Sequence, residues 1–387
     1  MVLGGGPAGC AAAIALRRSG GGTVVVVEGG DYGAERIGES IPPDSRQLLA
    51  RLGLIEAFLA QGHEPCYGSC SSWGTETLGF NDFAFNPNGA GFHLDRRRFD
   101  LLLARRAREV GAHVVTGTRF RSVRRRPSGG GAGEPLYTVE IEIHGAVRAV
   151  EASYVIDATG SAALAARQLG SRRLTHDRFF CVTGYFHLRE GAELLRLTML
   201  EAVREGWWYA ARLPDQRIAV ALACEGDDLR TGELYRPEPW LRRASLSTHL
   251  APALLDSFFV PGSLRVCPVG CFVLDRPTGP NWLAVGDAAS SLDPLSAQGI
   301  YKALSDGLEA ARAILAGFAG DHEATGRYAT EVRRAYDTSL GQREAFYARE
   351  HRWPGSTFWA RRREPRLAAM RQSGKAERRV RQVGDGE

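Results

Sequence analysis

The residues of this chain best placed to do chemistry are Gly4-Gly5-Gly6-Pro7-Ala8-Gly9, a G-x-G-x-x-G string between an apolar start and an alanine-rich helix. In such a string the first glycine, Gly4, makes the tight turn. The second, Gly6, lets a pyrophosphate approach the backbone, and the third, Gly9, lets helix and strand pack closely. Pro7 and Ala8 open the helix, whose N-terminal N–H groups then face the phosphates. The strand Thr23-Val24-Val25-Val26-Val27-Glu28 follows. Glu28 closes it nineteen residues after Gly9, where a carboxylate can accept from a ribose hydroxyl. The glycine string alone is weak evidence. Strand, turn, helix, strand and terminal acid in that order specify a dinucleotide site.

Further signals bear on the same site. Tyr154-Val155-Ile156-Asp157-Ala158-Thr159-Gly160 is an apolar strand ending in Asp-x-x-Gly, which nominates Asp157 and Gly160. Leu283-Ala284-Val285-Gly286-Asp287 is a second such strand, and a carboxylate at its end, Asp287 after Gly286, can hold a ribityl hydroxyl. A segment ending at Gly299 opens a helix at Ile300 whose N–H groups can face a flavin's pyrimidine oxygen. Asp95-Arg96-Arg97-Arg98-Phe99-Asp100 opens another, with Arg96 able to reach phosphate or the flavin edge. Each of these alone also reads as a capped helix or a strand-end turn; their order makes the case. Cys66-x3-Cys70 and Cys267-x3-Cys271 lack the two-residue spacing of a zinc knuckle, so no metal is expected. His63, His93 and His187 read as packing or surface residues.

The elements that position these residues follow from composition and periodicity. At 387 residues the chain is long enough for two or three domains, and 44% hydrophobic with 24% charged is ordinary globular composition. No apolar run is long enough for a membrane span, and no signal peptide is visible because the glycine turn begins at residue 4. A cytoplasmic location is expected, and seven Cys without a repeated framework fit a reduced compartment. The net charge of +5 comes from arginine, since Lys302 and Lys375 are the only lysines. No nucleic-acid motif accompanies it, so neither a nucleic-acid nor a membrane partner is expected. The first strand, Met1-Val2-Leu3, is short against a usual strand of about five or six residues. The natural protein is therefore expected to begin a few residues upstream.

Helices are expected at 7–19, 42–61, 97–110, 299–319 and 322–349. Loops and short strands are expected at 62–92, strands at 113–115 and 120–123, and a mobile hairpin tip at 127–135. An antiparallel sheet is expected within 180–265, and a fraying charged end from 361 onward. The domains expected are a discontinuous cofactor domain (1–61, 93–179 and 266–340), a substrate domain (62–92 and 180–265), and a C-terminal helical segment with basic tail (341–387).

The order GGGPAG, VVVVE, DRRRFD, VIDATG and GDAASSLDP resembles the FAD-dependent hydroxylases over residues 1–340. The resemblance implies FAD rather than NAD. It also implies an α/β fold of the aromatic-hydroxylase (glutathione-reductase) type: a Rossmann-like FAD-binding domain, an antiparallel β-sheet substrate domain and C-terminal helices. Arg36-Ile37-Gly38-Glu39-Ser40-Ile41-Pro42-Pro43 resembles the Gly-Glu-Ser/Ala-x-x-Pro segment of the flavin-dependent halogenase and monooxygenase branch, which adds Arg36 and Ser40 to the expected cofactor contacts. Gly206-Trp207-Trp208-Tyr209 with Leu213-Pro214 resembles that branch's Trp-x-Trp-x-Ile-Pro, shifted and incomplete. Asp293-Pro294-Leu295-Ser296-Ala297-Gln298-Gly299 resembles its flavin-face loop, with Pro294 and Ser296 toward the reacting face.

Halogenases of this branch steer hypohalous acid with a lysine that falls in the first hundred residues. The matching stretch here, Gly62 through Gly74, has none, so halogenation by that route is not expected. Ser72-Trp73-Gly74, GWWY, DPLSAQGIYKAL, Arg352-Trp353-Pro354 and Phe358-Trp359-Ala360-Arg361-Arg362 are most similar to a sub-branch of tryptophan-modifying flavoproteins. These mature quinone-cofactor oxidases and quinohemoprotein amine dehydrogenases, or modify ribosomally made peptides.

The implied chemistry is addition of O2 to the C4a carbon of reduced flavin, and transfer of OH from the protonated hydroperoxide to an electron-rich ring. The protein excludes water and holds the ring. Glu39 serves as base or proton relay, or else caps the helix near Pro42. Trp207, Trp208 and Tyr209 line the substrate side or a domain core, and at most two of the three can face the site, because strand residues alternate. The expectation is hydroxylation of a tryptophan side chain in a partner peptide or protein. With no second nucleotide fingerprint, FAD is reduced by NAD(P)H bound transiently or by a separate flavin reductase. The alternative is a halogenase-like or aromatic-hydroxylating enzyme acting on a small molecule. More distant rivals are a polyprenyl reductase and a non-catalytic flavin-binding partner.

Overall fold

A computed structural model describes residues 1–126, 136–192 and 194–363. The hairpin tip expected at 127–135 and the tail from 364 onward lie outside the described residues.

Short apolar strands meet in a six-stranded sheet whose order is Thr278–Gly279, Trp282–Ala284, Val155–Asp157, Val2–Leu3, Val25–Val27 and His113–Val115. All its pairings are parallel except that of Thr278–Gly279 with Trp282–Ala284. Val2, Leu3, Val26, Val27, Ile156 and Leu283 are buried, as continuous apolar runs in a parallel sheet require. Helix Pro7–Arg18 buries a row of small residues, Ala8 to Ala13, against helix Gly299–Phe318. The approach is close enough that a Cβ at Gly307 would stand 2.6 Å from the Ala8 carbonyl oxygen.

The helix expected over 42–61 is two helices, Ser45–Arg51 and Ile55–Leu59. Gly53 takes φ +69°, and the Leu54 and Gly53 N–H groups bond back to Leu49 and Ala50. This paired glycine cap stops the first helix despite the apolar periodicity that continues through it.

The second layer is a nine-stranded, mostly antiparallel sheet. Its path runs Ser290–Ser291, Arg265–Leu274, Arg173–Leu188, Arg217–Cys224, Gly206–Leu213, Thr198–Val203, Gly68–Ser72 and Gly79–Asp82, with Ser257–Phe259 paired to Arg173–Leu188 off that path. The expected domain limit at 179/180 falls inside the Arg173–Leu188 strand, and that at 265/266 falls at the start of the Arg265–Leu274 strand. Arg173–Leu188 and Arg265–Leu274 stay in register from Arg173↔Leu274 to Thr183↔Arg265, with one irregularity between Thr175 and Asp177. The ladder continues straight through the change in composition.

Helices Ala324–Tyr347 and Thr357–Arg363 are the last described elements. The fraying expected from 361 is not seen at 361–363. Arg362 is buried between Asp177 and Glu225 while Phe358 and Trp359 fill the core beside it. Among the described residues no helix is long and apolar enough to cross a membrane.

Candidate active site

A cavity of about 860 Å³ lies beyond the carboxyl ends of the parallel strands and reaches the large sheet. That is where open α/β sheets bind ligands, and the volume is ordinary for a cofactor cleft. Gly4, Gly6, Pro7 and Ala8 line it. Gly4 has φ +109°, and a Cβ there would lie 2.1 Å from the Ala158 carbonyl oxygen. At Gly6 a Cβ would meet only the Arg36 guanidinium, at 3.8 Å, so the backbone faces open space. Gly9 is not in the wall; a Cβ there would strike the Gly4 carbonyl oxygen at 2.0 Å, a matter of helix–strand packing.

Glu28 and Arg36 also line the cavity. The Glu28 carboxylate accepts from the N–H groups of Gly5 (2.7 Å) and Gly30 (3.0 Å) and from Arg36 (2.9 Å). Arg36 and Arg96 converge on Asp100, at 3.3 and 3.0 Å. Arg96 is in the wall but not free to range: it also donates to the carbonyls of Ile37 (2.8 Å) and Gly38 (2.9 Å), and so fixes the turn that carries Glu39.

Gly160 and Asp287 are in the wall, and Asp157 and Gly286 are not. Asp157 is wholly buried, accepting from the Thr159 N–H (2.9 Å), the Thr159 hydroxyl (2.6 Å) and the Ala166 N–H (2.7 Å). Its carboxylate builds the strand-end turn rather than meeting a ligand. Gly286 packs behind the wall, with room for a Cβ closed by Ala8 at 2.8 Å. Its carbonyl takes the Lys302 ammonium at 2.8 Å, which also pairs with Asp306 at 2.7 Å. Asp287 has no protein hydrogen-bond partner among the described residues, and burial raises its carboxyl above the usual range.

Gly299 and Ile300 place a helix start at the cavity, and Pro294 joins them. Ser296 does not: its hydroxyl donates to the Asp293 carbonyl at 2.9 Å, closing a tight turn. On the opposite side Trp207 and Tyr209 face the cavity beside Cys181, Ala221, Pro268 and Val269. Strand alternation turns Trp208 to the other face, where it stacks edge-on against Trp240 with 5.4 Å between ring centroids. Glu39 and Ser40 complete the wall, and the Ser40 and Tyr209 hydroxyls are 2.8 Å apart. Glu39 is buried, which raises its carboxyl against the opposing pull of Arg96. No residue of 62–92 lines the cavity; strands of that segment pair with Ser40–Ile41 and with Thr198–Val203 instead.

His63 and His93 are packing residues: burial lowers each to about 4. His93 bonds to the Arg212 carbonyl and the Thr198 hydroxyl, both at 2.9 Å. His187 stacks on Phe258. All seven cysteines are free thiols.

Sequence reading missed Arg343 and Tyr347, and quoted Asp293 within the flavin-face loop without giving it a role. Trp207 Nε1 donates to the Tyr347 hydroxyl (2.9 Å), which donates to Asp293 (3.2 Å), and Arg343 pairs with that same carboxylate (2.7 Å). These partners are fifty or more residues apart in the chain, so no local pattern announces them. Arg119, Phe120 and Arg121 also line the cavity without any motif.

The donor set fits FAD. Gly6 and the helix start at Pro7 would take the pyrophosphate, Glu28 the ribose, Asp287 the ribityl chain, and the helix start at Gly299 the ring. The orphaned Asp287 carboxylate and the open approach over Gly6 carry that fit.

Residues 1–175 match the family of FAD dependent oxidoreductases. The chain is 27% identical over 364 residues to the FAD-dependent oxidoreductase LodB of Marinomonas mediterranea, covering 94% of this chain and 96% of that protein. Other relatives are flavin-dependent halogenases of Penicillium aethiopicum and Armillaria mellea. Among solved structures, the flavin-dependent halogenase CmlS superposes with a TM-score of 0.83 at 25% identity, over 96% of this chain and 69% of that one. The peptidyl tryptophan dihydroxylase QhpG, essential for tryptophylquinone cofactor biogenesis, superposes with a TM-score of 0.75 at 26% identity, over 94% and 78%. The fold and the fitted cavity agree with these likenesses: the chain is similar to FAD-dependent oxidoreductases, halogenase-like flavoproteins among them.

Proposed function

We propose that this chain is a monooxygenase that inserts oxygen into an electron-rich aromatic ring, the indole of a tryptophan in a partner peptide or protein. The observation that carries the oxygenase reading is the wall facing the expected ring position. It is built from Trp207, Tyr209, Ala221, Pro268 and Val269, and among the described residues no lysine lines the cavity. Lys302, the only lysine among the described residues, is held by Gly286 and Asp306 behind the wall. Among the described residues the cavity thus offers no amine of the kind that halogenation by the branch's route uses. The choice of indole and of a polypeptide carrier is supported by the likeness to QhpG.

Bound and reduced, FAD would supply the electrons that activate O2. The residues of the chain do the rest. The glycine turn and the helix starts hold the cofactor, and the aromatic wall excludes water and orients the substrate ring. Glu39 offers a titratable proton at the cavity surface. Electrons come from NAD(P)H or from a separate flavin reductase.

The halogenases among the relatives favour the alternative by likeness, a halogenase-like or hydroxylating enzyme acting on a small molecule. One assay decides. Holoenzyme with reduced flavin, O2 and chloride is offered free tryptophan, a tryptophan peptide from the polypeptide encoded beside this chain, and the Trp→Phe version of that peptide. Gain of oxygen on the tryptophan peptide alone is the expected mass change. Replacement of hydrogen by chlorine, or faster turnover of free tryptophan, establishes the alternative.

A further inference from the structure

Glu39 stands in a partition. The residue is part of the cavity wall and also of the wall of a small outer cleft bounded by Glu35, Asp95, Tyr185, Leu213 and Arg217. The cleft has about 10 Å³ of free space, close to the room one water needs. The Tyr185 hydroxyl donates to Glu39 Oε1 at 3.2 Å, and the Gly38 N–H donates to Oε2 at 3.1 Å. Beyond Tyr185 the Arg217 guanidinium sits 6.0 Å from the ring centroid. It pairs with Asp95 at 3.0 Å and with the solvent-exposed Glu35 at 2.7 Å.

The fold makes room for this arrangement with alanines. Tyr185 and Tyr209 lie on strands flanking Arg217–Cys224, opposite Ala219 and Ala221. Two rings therefore reach toward Glu39, from the outer and the inner side. The groups facing Glu39 are Arg96 from its helix, Tyr185 from the Arg173–Leu188 strand, and Tyr209 from the Gly206–Leu213 strand, bonded to Ser40.

We propose that Glu39 and Tyr185 form a proton path from the outer cleft into the flavin cavity, with Glu39 handing the proton to the departing oxygen atom and Tyr185 refilling it. The proposal rests on the oxygenase reading above. Inserting one atom of O2 into a C–H bond consumes a pair of electrons and a pair of protons and releases the other atom as water. The electrons come from the reduced cofactor. A proton leaves the Glu39 carboxyl toward the cavity, Oε1 takes one from the Tyr185 hydroxyl, and the tyrosine oxygen takes one passed in through the cleft from bulk solvent, which supplies the proton consumed. Burial raises the Glu39 carboxyl above its ordinary value, against the pull of Arg96 and of the Gly38 and Tyr185 hydrogen bonds. Burial and the nearby Glu39 also push the Tyr185 phenol up, so it exchanges protons in concert and does not rest as tyrosinate. Tyr185 is a positioning and relay residue, acting through Glu39.

The test uses FAD-loaded wild type, Glu39→Gln and Tyr185→Phe, with two readouts that need no aromatic substrate. The first is the infrared carbonyl stretch of a protonated carboxyl in the oxidised protein. It is expected in wild type, absent in Glu39→Gln and shifted in frequency in Tyr185→Phe. The second is peroxide release by the reduced protein under O2, followed against pH in H2O and D2O. Glu39→Gln is expected to lose the pH dependence that follows the carboxyl titration and to fall by about 10²-fold, while Tyr185→Phe keeps that pH and loses rate. No carboxyl band assignable to Glu39, or unchanged pH profiles and solvent isotope effects in both variants, overturns the path. If Glu39→Gln does not load FAD, Tyr185→Phe decides alone: a shifted band supports the path and an unshifted one overturns it. A wrong substrate assignment leaves both readouts as they are.

Discussion

At the scale of the residue, the glycine string was legible because each of its constraints is local. Gly4 needs its backbone angle, Gly9 needs contact with its own turn, and Gly6 needs nothing but space. A side chain at Gly6 would fill that space, so Gly6→Trp should yield colourless, folded protein. Retained yellow colour and full FAD content would remove the turn from the site. Asp287 gives a second, graded test. Its unpartnered carboxylate would accept a hydrogen bond from the ribityl chain, so Asp287→Ala should weaken FAD binding by about 1–3 kcal/mol, read by titration of apoprotein with FAD. An unchanged Kd would mean that the carboxylate faces something else. Asp157 reads much the same in sequence, an acid at the end of an apolar strand with a glycine nearby. The difference lies in where the carboxylate finds its donors: Thr159 and Ala166 already supply three. Sequence shows the acid but not the donors that satisfy it.

At the scale of the element, alternation decided between two adjacent tryptophans, and sequence could state the rule without the phase. Trp207 faces the cavity; Trp208 faces a separate apolar core with Trp240 and Leu222. Trp208→Ala should therefore cost about 3–5 kcal/mol of stability while the FAD affinity of the folded fraction stays the same.

The short strand Gly91–His93 supplies a pH-dependent element. His93 is buried neutral, with a folded value near 4 against 6.5 for the free side chain. Between those values the unfolded chain binds the proton and the folded chain does not, so stability contributed by neutral burial is present above about pH 6.5 and is lost as pH falls. Its slope reaches at most about 1.4 kcal/mol per pH unit. Urea unfolding of wild type and His93→Gln at several pH values should show a shallower loss on acidification in the variant. Parallel curves would show that the ring is protonated in the folded state.

At the scale of the whole molecule, the site is assembled from segments far apart in the chain, and a line of buried charges joins them. Asp293 sits in the loop before the helix start at Gly299; Arg343 and Tyr347 lie on the Ala324–Tyr347 helix; Asp177 lies in the Arg173–Leu188 strand and Glu225 directly after the Arg217–Cys224 strand, both inner strands of the large sheet; Arg362 lies on the Thr357–Arg363 helix. Arg343 pairs with Asp293 and Asp177, and Arg362 with Asp177 and Glu225. Local propensity revealed the helices but could not reveal this order, because each pair spans at least fifty positions. Removing one member strands a buried opposite charge, which commonly costs about 3–5 kcal/mol. Arg343→Met keeps most of the side-chain bulk and leaves Asp293 without its cation. Asp293 also accepts from the Leu295 N–H and from Tyr347, which in turn holds the Trp207 indole. The variant should thus unfold at markedly lower urea and also retain FAD less well, since the Pro294 loop and the Trp207 wall lose the same anchor. Arg362→Met removes the outer cation and leaves the Asp293–Arg343 pair intact. It should lower stability comparably but leave the FAD affinity of the folded protein near wild type. Equal loss of FAD affinity in both variants would mean that the charges support the fold as a whole and do not position the cavity wall.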